Sequence, residues 1–444
     1  MRLPPGPPEG LFGLGFYRTL RRDRLAALAH VARTYGDVAT FRMGPQRLAL
    51  LNHPDYVEDV LVTRARLFKK GRALERAKRL LGEGLLTAEG ESHLQQRRLV
   101  QPAFHKPRIA GYAASMVAHA QRAADRWRDG EQLDVAAEMT RLTLTIAGET
   151  LFGTDVEADA GAVRQALTTV FDAFPLTMSP FAPLIEKLPL PSVKRYERAQ
   201  ATLDRLIYRI IEDRRRRQDD RGDLLSMLLL ARDEEGNGGR MTDRQVRDEA
   251  MTLFLAGHET TANALSWTWY LVAQQPDVER RLHDEVDAVL GDRAASVDDF
   301  ARLPYTRMVL SESMRLYPPA WAVGRRAIED FDVNTYTLPK GTVVLVSQYL
   351  LHRDARFYDE PERFDPDRWL PDRQKGRPKY AYFPFGGGNR VCIGESFAWM
   401  QGVLVLATLA RRWRLELRET EPIPTQPGIT LRPRRPIRMQ AFRR

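Results

Sequence analysis

The run Phe385-Gly386-Gly387-Gly388-Asn389-Arg390-Val391-Cys392-Ile393-Gly394 holds the only cysteine among 444 residues. A lone cysteine closes no internal disulfide and builds no Cys-rich zinc or iron–sulfur centre, so chemistry here is that of a single thiolate. The surroundings suit that role. Glycines let backbone N–H groups turn toward the sulfur, an apolar helical pattern from Phe397 onward points its positive end at the loop, and Arg390 adds a fixed charge. Each is expected to lower the thiol pKa.

A second cluster is Ala256-Gly257-His258-Glu259-Thr260-Thr261, in the middle of a long apolar helical pattern. Glycine there costs about 1 kcal/mol relative to alanine, and an acid beside two hydroxyls is out of place among apolar neighbours. Such a helix centre makes physical sense where something must approach the backbone closely and a proton source is needed. A third, Glu312-Ser313-Met314-Arg315, sets an acid and a base three apart on one helical face. By itself that pair signals nothing.

Taken in order, these motifs resemble those of the cytochromes P450. Phe385, Gly388, Arg390, Cys392 and Gly394 match the family's haem-binding Phe-x-x-Gly-x-Arg-x-Cys-x-Gly, and residues 256–261 match its Ala/Gly-Gly-x-Glu/Asp-Thr-Thr. Glu312 and Arg315 precede Leu316-Tyr317-Pro318-Pro319 and then Pro361-Glu362-Arg363-Phe364, in family order. The resemblance implies haem b (iron protoporphyrin IX) with Cys392 as its axial thiolate and metal ligand. Phe385 would pack on the sulfur side, Gly394 close the signature, and Arg390 reach a propionate. A cysteinate donates electron density to iron and favours O–O cleavage, the physical reason for sulfur instead of imidazole.

By the same resemblance Thr260 hydrogen-bonds dioxygen or the water that protonates it, Glu259 relays protons from solvent, and Ala256 lies over the haem face. His258 is expected to point away from the iron. His93 and Arg97, one helical turn apart, would both address a propionate, His93 standing where tryptophan is commoner. Arg325, favoured over Arg326 by its spacing to Asp330, would reach a propionate from the strand that follows. Glu312, Arg315 and Arg363 would form a buried network bracing the cysteine loop. Leu253, Ala256, Ala320, Trp321 and Val323 are expected to line the substrate pocket.

The implied activity is a haem-thiolate monooxygenase that inserts one atom of O2 into a C–H bond of a hydrophobic small molecule. No flavin or iron–sulfur domain is fused, so electrons would come from a separate ferredoxin or flavodoxin with its NAD(P)H-dependent reductase. A peroxide-driven peroxygenase and a non-catalytic haem-binding sensor are the alternatives, both disfavoured by the Glu259-Thr260 pair. The Tyr-Pro-Pro-Ala-Trp and Gly-His-Glu-Thr-Thr stretches look like those of bacterial fatty-acid and carotenoid hydroxylases. They suggest a long-chain lipid, terpenoid or carotenoid substrate.

The resemblance implies a scaffold that is mainly α with small β-sheets: a single cytochrome P450 domain over residues 1–444, with a long central helix over the haem. The chain supplies the parts. Residues 23–35 read as a helix, and 38–43 with 47–51 as a hairpin turned at Gly44-Pro45. Residues 66–90 read as an irregular, basic loop, whereas 109–128, 133–152 and 192–217 carry helical periodicity. Thr242 with Gln245 forms a capping box, and the central helix runs from there toward Pro276, roughly 48 Å at 1.5 Å per residue. Residues 171–191, apolar and broken by prolines, suggest a lid; 233–239 form a polar turn. Residues 413–417 and 429–439 suggest a last hairpin whose turn near Pro427-Gly428 touches substrate.

Composition bounds the remaining classes. Hydrophobic residues make up 43% of the chain, ample for one large core. The net charge is +10, and nine of 68 basic residues are lysine. The basic residues are scattered over amphipathic helices without a nucleic-acid-binding motif, so no nucleic acid partner is expected. Their summed field would instead steer an acidic redox partner. No stretch reaches the roughly 18–20 apolar residues of a membrane-spanning helix. Leu3-Pro4-Pro5-Gly6-Pro7-Pro8 resembles the family's proline-rich hinge without an anchor ahead of it, so a soluble, cytoplasmic monomer is expected.

Overall fold

The computed structural model describes residues 2–8, 13–153, 160–177, 185–217, 221–231 and 240–444. It is mostly helical. The strands are β1 (Val38–Met43), β2 (Gln46–Leu51), β3 (Phe68–Lys70), β4 (Gln132–Asp134), β5 (Val323–Ala327), β6 (Phe331–Val333), β7 (Tyr336–Leu338), β8 (Val343–Val346), β9 (Trp413–Leu417), β10 (Thr425–Pro427), β11 (Leu431–Pro433) and β12 (Arg438–Arg443). The largest sheet has the order β1-β2-β8-β5-β3. Within it β2 and β8 run parallel, while β1/β2, β5/β8 and β3/β5 are antiparallel.

The central helix is Asp243–Val272, opened by the Thr242/Gln245 capping box. Nearly all of its side chains are buried, as expected of a helix crossing a core instead of lying on it. It packs along the helix Val135–Phe152, which Asp134 caps by accepting from the N–H groups of Ala136 (3.1 Å) and Ala137 (3.3 Å). The helix after the cysteine, Glu395–Ala410, is apolar on almost every side and equally buried. It meets the helix Pro304–Leu316 at Gly402, where an added Cβ would stand 2.5 Å from Leu310. Gly402 thus lets the element behind the cysteine press against the element carrying Glu312.

Two expectations need correction. Residues 66–90 are not an irregular loop: they contain β3 and the helix Arg72–Leu81. The basic side chains of that helix are partly exposed, while Leu80 and Leu81 are buried, and the charge hid the period. The C-terminal residues do not form one hairpin. β9 pairs with β12, and β10 with β11 makes a second hairpin between them. A further helix, Leu14–Arg22, precedes the expected one at Arg24–Tyr35. Residues 178–184 of the suggested lid and the turn at 233–239 lie outside the described residues; 171–177 continue the helix Ala160–Thr177.

Candidate active site

The cysteine loop folds on itself through Cys392 N–H donating to the Phe385 carbonyl at 3.0 Å. Gly388 has a φ of 69° and its missing Cβ is essential, since one would stand 2.0 Å from the Leu61 carbonyl oxygen. The ring of Phe385 is steadied by Trp399, centroids 5.7 Å apart. At Gly394 an added Cβ would lie 4.0 Å from the Cys392 sulfur.

Cys392 is exposed, yet surrounding protein desolvates its thiol and pushes the pKa up. Accessibility and desolvation agree if the sulfur opens onto a hollow within the molecule and not onto its outer surface. The backbone of Gly394 and the charge of Arg97 pull the pKa down, but less strongly. This corrects the expected lowering by Arg390, whose guanidinium turns to Glu89 at 2.5 Å. Arg97 is the cation near the sulfur, donating to the Val391 carbonyl at 2.9 Å. A coordinated metal ion would deprotonate the thiol outright.

Ala256 repeats the pattern on the central helix: it is exposed although Leu253, Phe254, Leu255 and His258 around it are buried. Thr260, one turn on, donates its hydroxyl to the Ala256 carbonyl at 2.8 Å. The two residues make an accessible stripe in the middle of a core helix. Glu259 is buried, and burial raises its carboxyl to about 7 against the opposing effects of Arg432 and Thr430. His258 turns back on its own helix, Nδ1 at 2.7 Å from the Phe254 carbonyl, and burial lowers it to about 4.

A cluster of cations forms the third part. The β3/β5 register sets Lys70 opposite Arg325. Burial, then Lys70, Arg390, Arg97 and Arg325, push His93 down to about 4, leaving the ring neutral. Arg325 is lowered to about 10 by burial and then by Arg390, and Lys70 to about 7, mainly by burial. Two carboxylates answer these charges: Glu89, bonded to Arg390 and to the backbone N–H of Lys70, and Glu249, which burial raises to about 7. The cluster keeps an excess of positive charge that suits two more carboxylates, the number a haem carries. Arg326 is occupied elsewhere, paired with Glu75. Lys70 went unnoticed in the sequence because only the pairing of strands some 250 positions apart brings it here.

The bracing network is buried, but its third member is different. Glu312 holds Arg315 at 2.8 and 2.9 Å and Arg368 at 3.2 Å, and accepts from the Trp369 indole at 3.1 Å. Arg363 contributes only its carbonyl, 3.0 Å from Arg315 Nη2, while its guanidinium lies at the surface with Glu360. The turn Pro366–Trp369 folds under the helix and presents Arg368, a placement no motif spacing encodes. Of the expected pocket residues, Leu253 is buried and Ala320 partly so. Val323 pairs with Val346 in the large sheet. Trp321 packs in the core with Phe41 and Leu431, its indole N–H donating to the Gly428 carbonyl at 3.0 Å, so it anchors the β10/β11 turn.

This helical fold, with one accessible cysteine sulfur near Arg97 and the cation cluster around it, is that of a haem-thiolate protein. The chain belongs to the cytochrome P450 family, whose profile matches residues 4–440. It is 43% identical over 431 residues to cyclooctatin synthase of Streptomyces melanosporofaciens, covering 96% of this chain and 91% of that one. It is 40% identical to cyclooctat-9-en-7-ol 5-monooxygenase of the same species (94% and 89% covered). To pentalenene oxygenase of Streptomyces avermitilis it is 36% identical (90% and 89% covered). The protein is therefore a P450 monooxygenase with haem b as cofactor, and it acts with O2, a hydrophobic substrate and a redox partner. No helix among the described residues is long and apolar enough to cross a membrane.

Proposed function

We propose that this enzyme hydroxylates a terpenoid hydrocarbon or a lightly oxidised derivative of one, with Cys392 as the iron ligand. When bound, the haem activates dioxygen and supplies the oxidising equivalent for the C–H bond. Arg97, Arg325 and Arg390 would hold the propionates with neutral His93 as a donor beside them, Lys70 adding charge. Thr260 would hand on protons drawn from Glu259, whose carboxyl, near 7, is matched to neutral operation. Leu253, Ala256, Ala320 and Val323 would offer the substrate an apolar wall, and Trp321 would hold the turn that completes it.

The observation that carries this reading is the accessible Ala256–Thr260 stripe in an otherwise buried helix, with the buried Glu259 beside it. Relatives named for cyclooctat-9-en-7-ol and pentalenene oxidation support the substrate class. Electrons would arrive from a separate ferredoxin or flavodoxin, the net charge of +10 favouring an acidic partner. A place in the reducing cytoplasm fits the single cysteine. The test is a panel of cyclic terpenes, fatty acids and carotenoids scored by ligand-induced spin shifts and by turnover with NADH, ferredoxin and reductase. Terpenes should shift the spectrum and be hydroxylated; a response to fatty acids alone, or turnover with peroxide alone, would contradict the assignment.

A further inference from the structure

The acid of the proton pair is tied to the C-terminal hairpin. Thr430, in the turn between β10 and β11, donates its hydroxyl to Glu259 Oε1 at 2.7 Å and accepts from Asn263 Nδ2 at 3.2 Å. Arg432, in β11, brings Nε to 3.8 Å from the same carboxylate oxygen. Its other end, Nη2, lies 3.5 Å from Asp172 on the helix Ala160–Thr177, and the guanidinium stands over the Phe171 ring. One cation thus spans a buried carboxylate and an exposed one on different elements: the Glu259 side chain is 10% exposed and that of Asp172 60%.

The hairpin has little freedom to follow either partner. The Trp321 indole donates to the Gly428 carbonyl at 3.0 Å and the Trp267 indole to the Leu431 carbonyl at 3.0 Å. Leu431 N–H donates to the Pro319 carbonyl at 2.9 Å, and Arg24 to the Pro427 carbonyl at 2.9 Å. Only the guanidinium, at the end of a long side chain, has two places to go.

Resting on the oxygenase reading above, we propose that Arg432 is a positioning residue for proton delivery: it sets the charge state of Glu259, and Asp172 opposes it by drawing the guanidinium outward. Among the described residues the charged groups facing Glu259 are Arg432 and, behind it, Asp172. Thr430 and Asn263 are uncharged, and His258 on the same helix is neutral because burial holds it near 4. The signs follow. Only the protonated carboxyl can donate, so delivery falls as pH rises past the carboxyl's pKa. Removing Arg432 takes a cation from the ionised form and moves that fall to higher pH. Removing Asp172 frees Arg432 for Glu259 and moves it to lower pH, by less, because Asp172 is in solvent.

The experiment uses the haem-loaded enzyme with ferredoxin, reductase and NADH, reading product per NADH against pH. In parallel, infrared titration follows the C=O band of the protonated buried acid, which needs no turnover. Glu259→Gln should abolish the fall and remove the Glu259 component of the band, leaving that of Glu249, whose carboxyl burial also raises to about 7. Arg432→Gln should move both upward by at least threefold in proton concentration, Arg432→Lys should restore them toward wild type, and Asp172→Asn should move them downward. Coincident titrations for Arg432→Gln and wild type, or Asp172→Asn moving in the same direction as Arg432→Gln, would overturn the proposal. Absence of oxygenase turnover in the wild type would count against the oxygenase reading instead, with the infrared arm still deciding the role of Arg432.

Discussion

Arg368 Nε lies 3.2 Å from Glu312 Oε1, with side chains only 3% and 0% exposed. Glu312 also accepts from both ends of the Arg315 fork, from the Trp369 indole and from the Asp365 N–H at 3.0 Å. Two guanidinium groups are thus held dry by one carboxylate. Arg315 uses its remaining donors on the carbonyls of His352, Pro361 and Arg363, clamping the chain ahead of the cysteine loop.

Truncating Glu312 strands two buried cations. Glu312→Ala should lower the unfolding free energy by about 3–5 kcal/mol. Arg368→Ala should fall in the same direction, whereas Arg363→Ala should stay within about 0.5 kcal/mol of wild type. Urea midpoints of the three variants check the ordering; equal losses for Arg363 and Arg368 would restore the partner that the motif suggested.

The motifs could not say which arginine completes the network. A helix fixes the Glu312–Arg315 spacing locally, but the third partner arrives through a turn whose path depends on tertiary packing. Likewise Cys392, Glu259 and Thr260 were legible because signature residues sit close together in the chain. Lys70, Thr430 and Arg432 were not, since strand pairing and the C-terminal hairpin bring them from remote positions. The long helix was readable from its capping box and unbroken period. The short basic helix Arg72–Leu81 was not, because charges outnumber its buried leucines.

Gly388 and Gly386 both have positive φ, 69° and 75°, but differ in space: a Cβ on Gly386 meets nothing within 4 Å. Gly386→Ala should cost only the left-handed strain, about 1–2 kcal/mol. Gly388→Ala must also displace the Leu61 carbonyl and should cost more and weaken haem retention. Thermal unfolding and haem content of the two variants make the comparison.

Arg325 and Arg326 are neighbours in β5 with different partners, the first in the cation cluster and the second bound to Glu75. If Arg325 holds a propionate, Arg325→Gln loses a charge-assisted bond of about 1.5–3 kcal/mol, roughly tenfold or more in haem affinity. Arg326→Gln should change it little. Haem transfer to an excess of apomyoglobin measures both.

His258 is neutral in the fold, its pKa lowered from 6.5 to about 4 by burial. The unfolded chain binds a proton between those values and the folded chain does not, so the His258 contribution is complete above 6.5 and is lost as pH falls toward 4. At about pH 5.5 the loss is about 1.4 kcal/mol. Wild-type stability relative to His258→Gln should therefore decline on acidification through that window, as followed by urea unfolding. A difference that stays constant with pH would mean the imidazole is not desolvated.

The claim that supports all the rest is an iron–sulfur bond at Cys392, and the spectrum of the dithionite-reduced, carbon-monoxide-treated protein tests it most directly. The wild type should show the long-wavelength Soret band that a thiolate opposite carbon monoxide produces, and Cys392→Ser should lose it together with oxygenase turnover. A wild type without that band, or a serine variant that keeps it, would contradict the assignment.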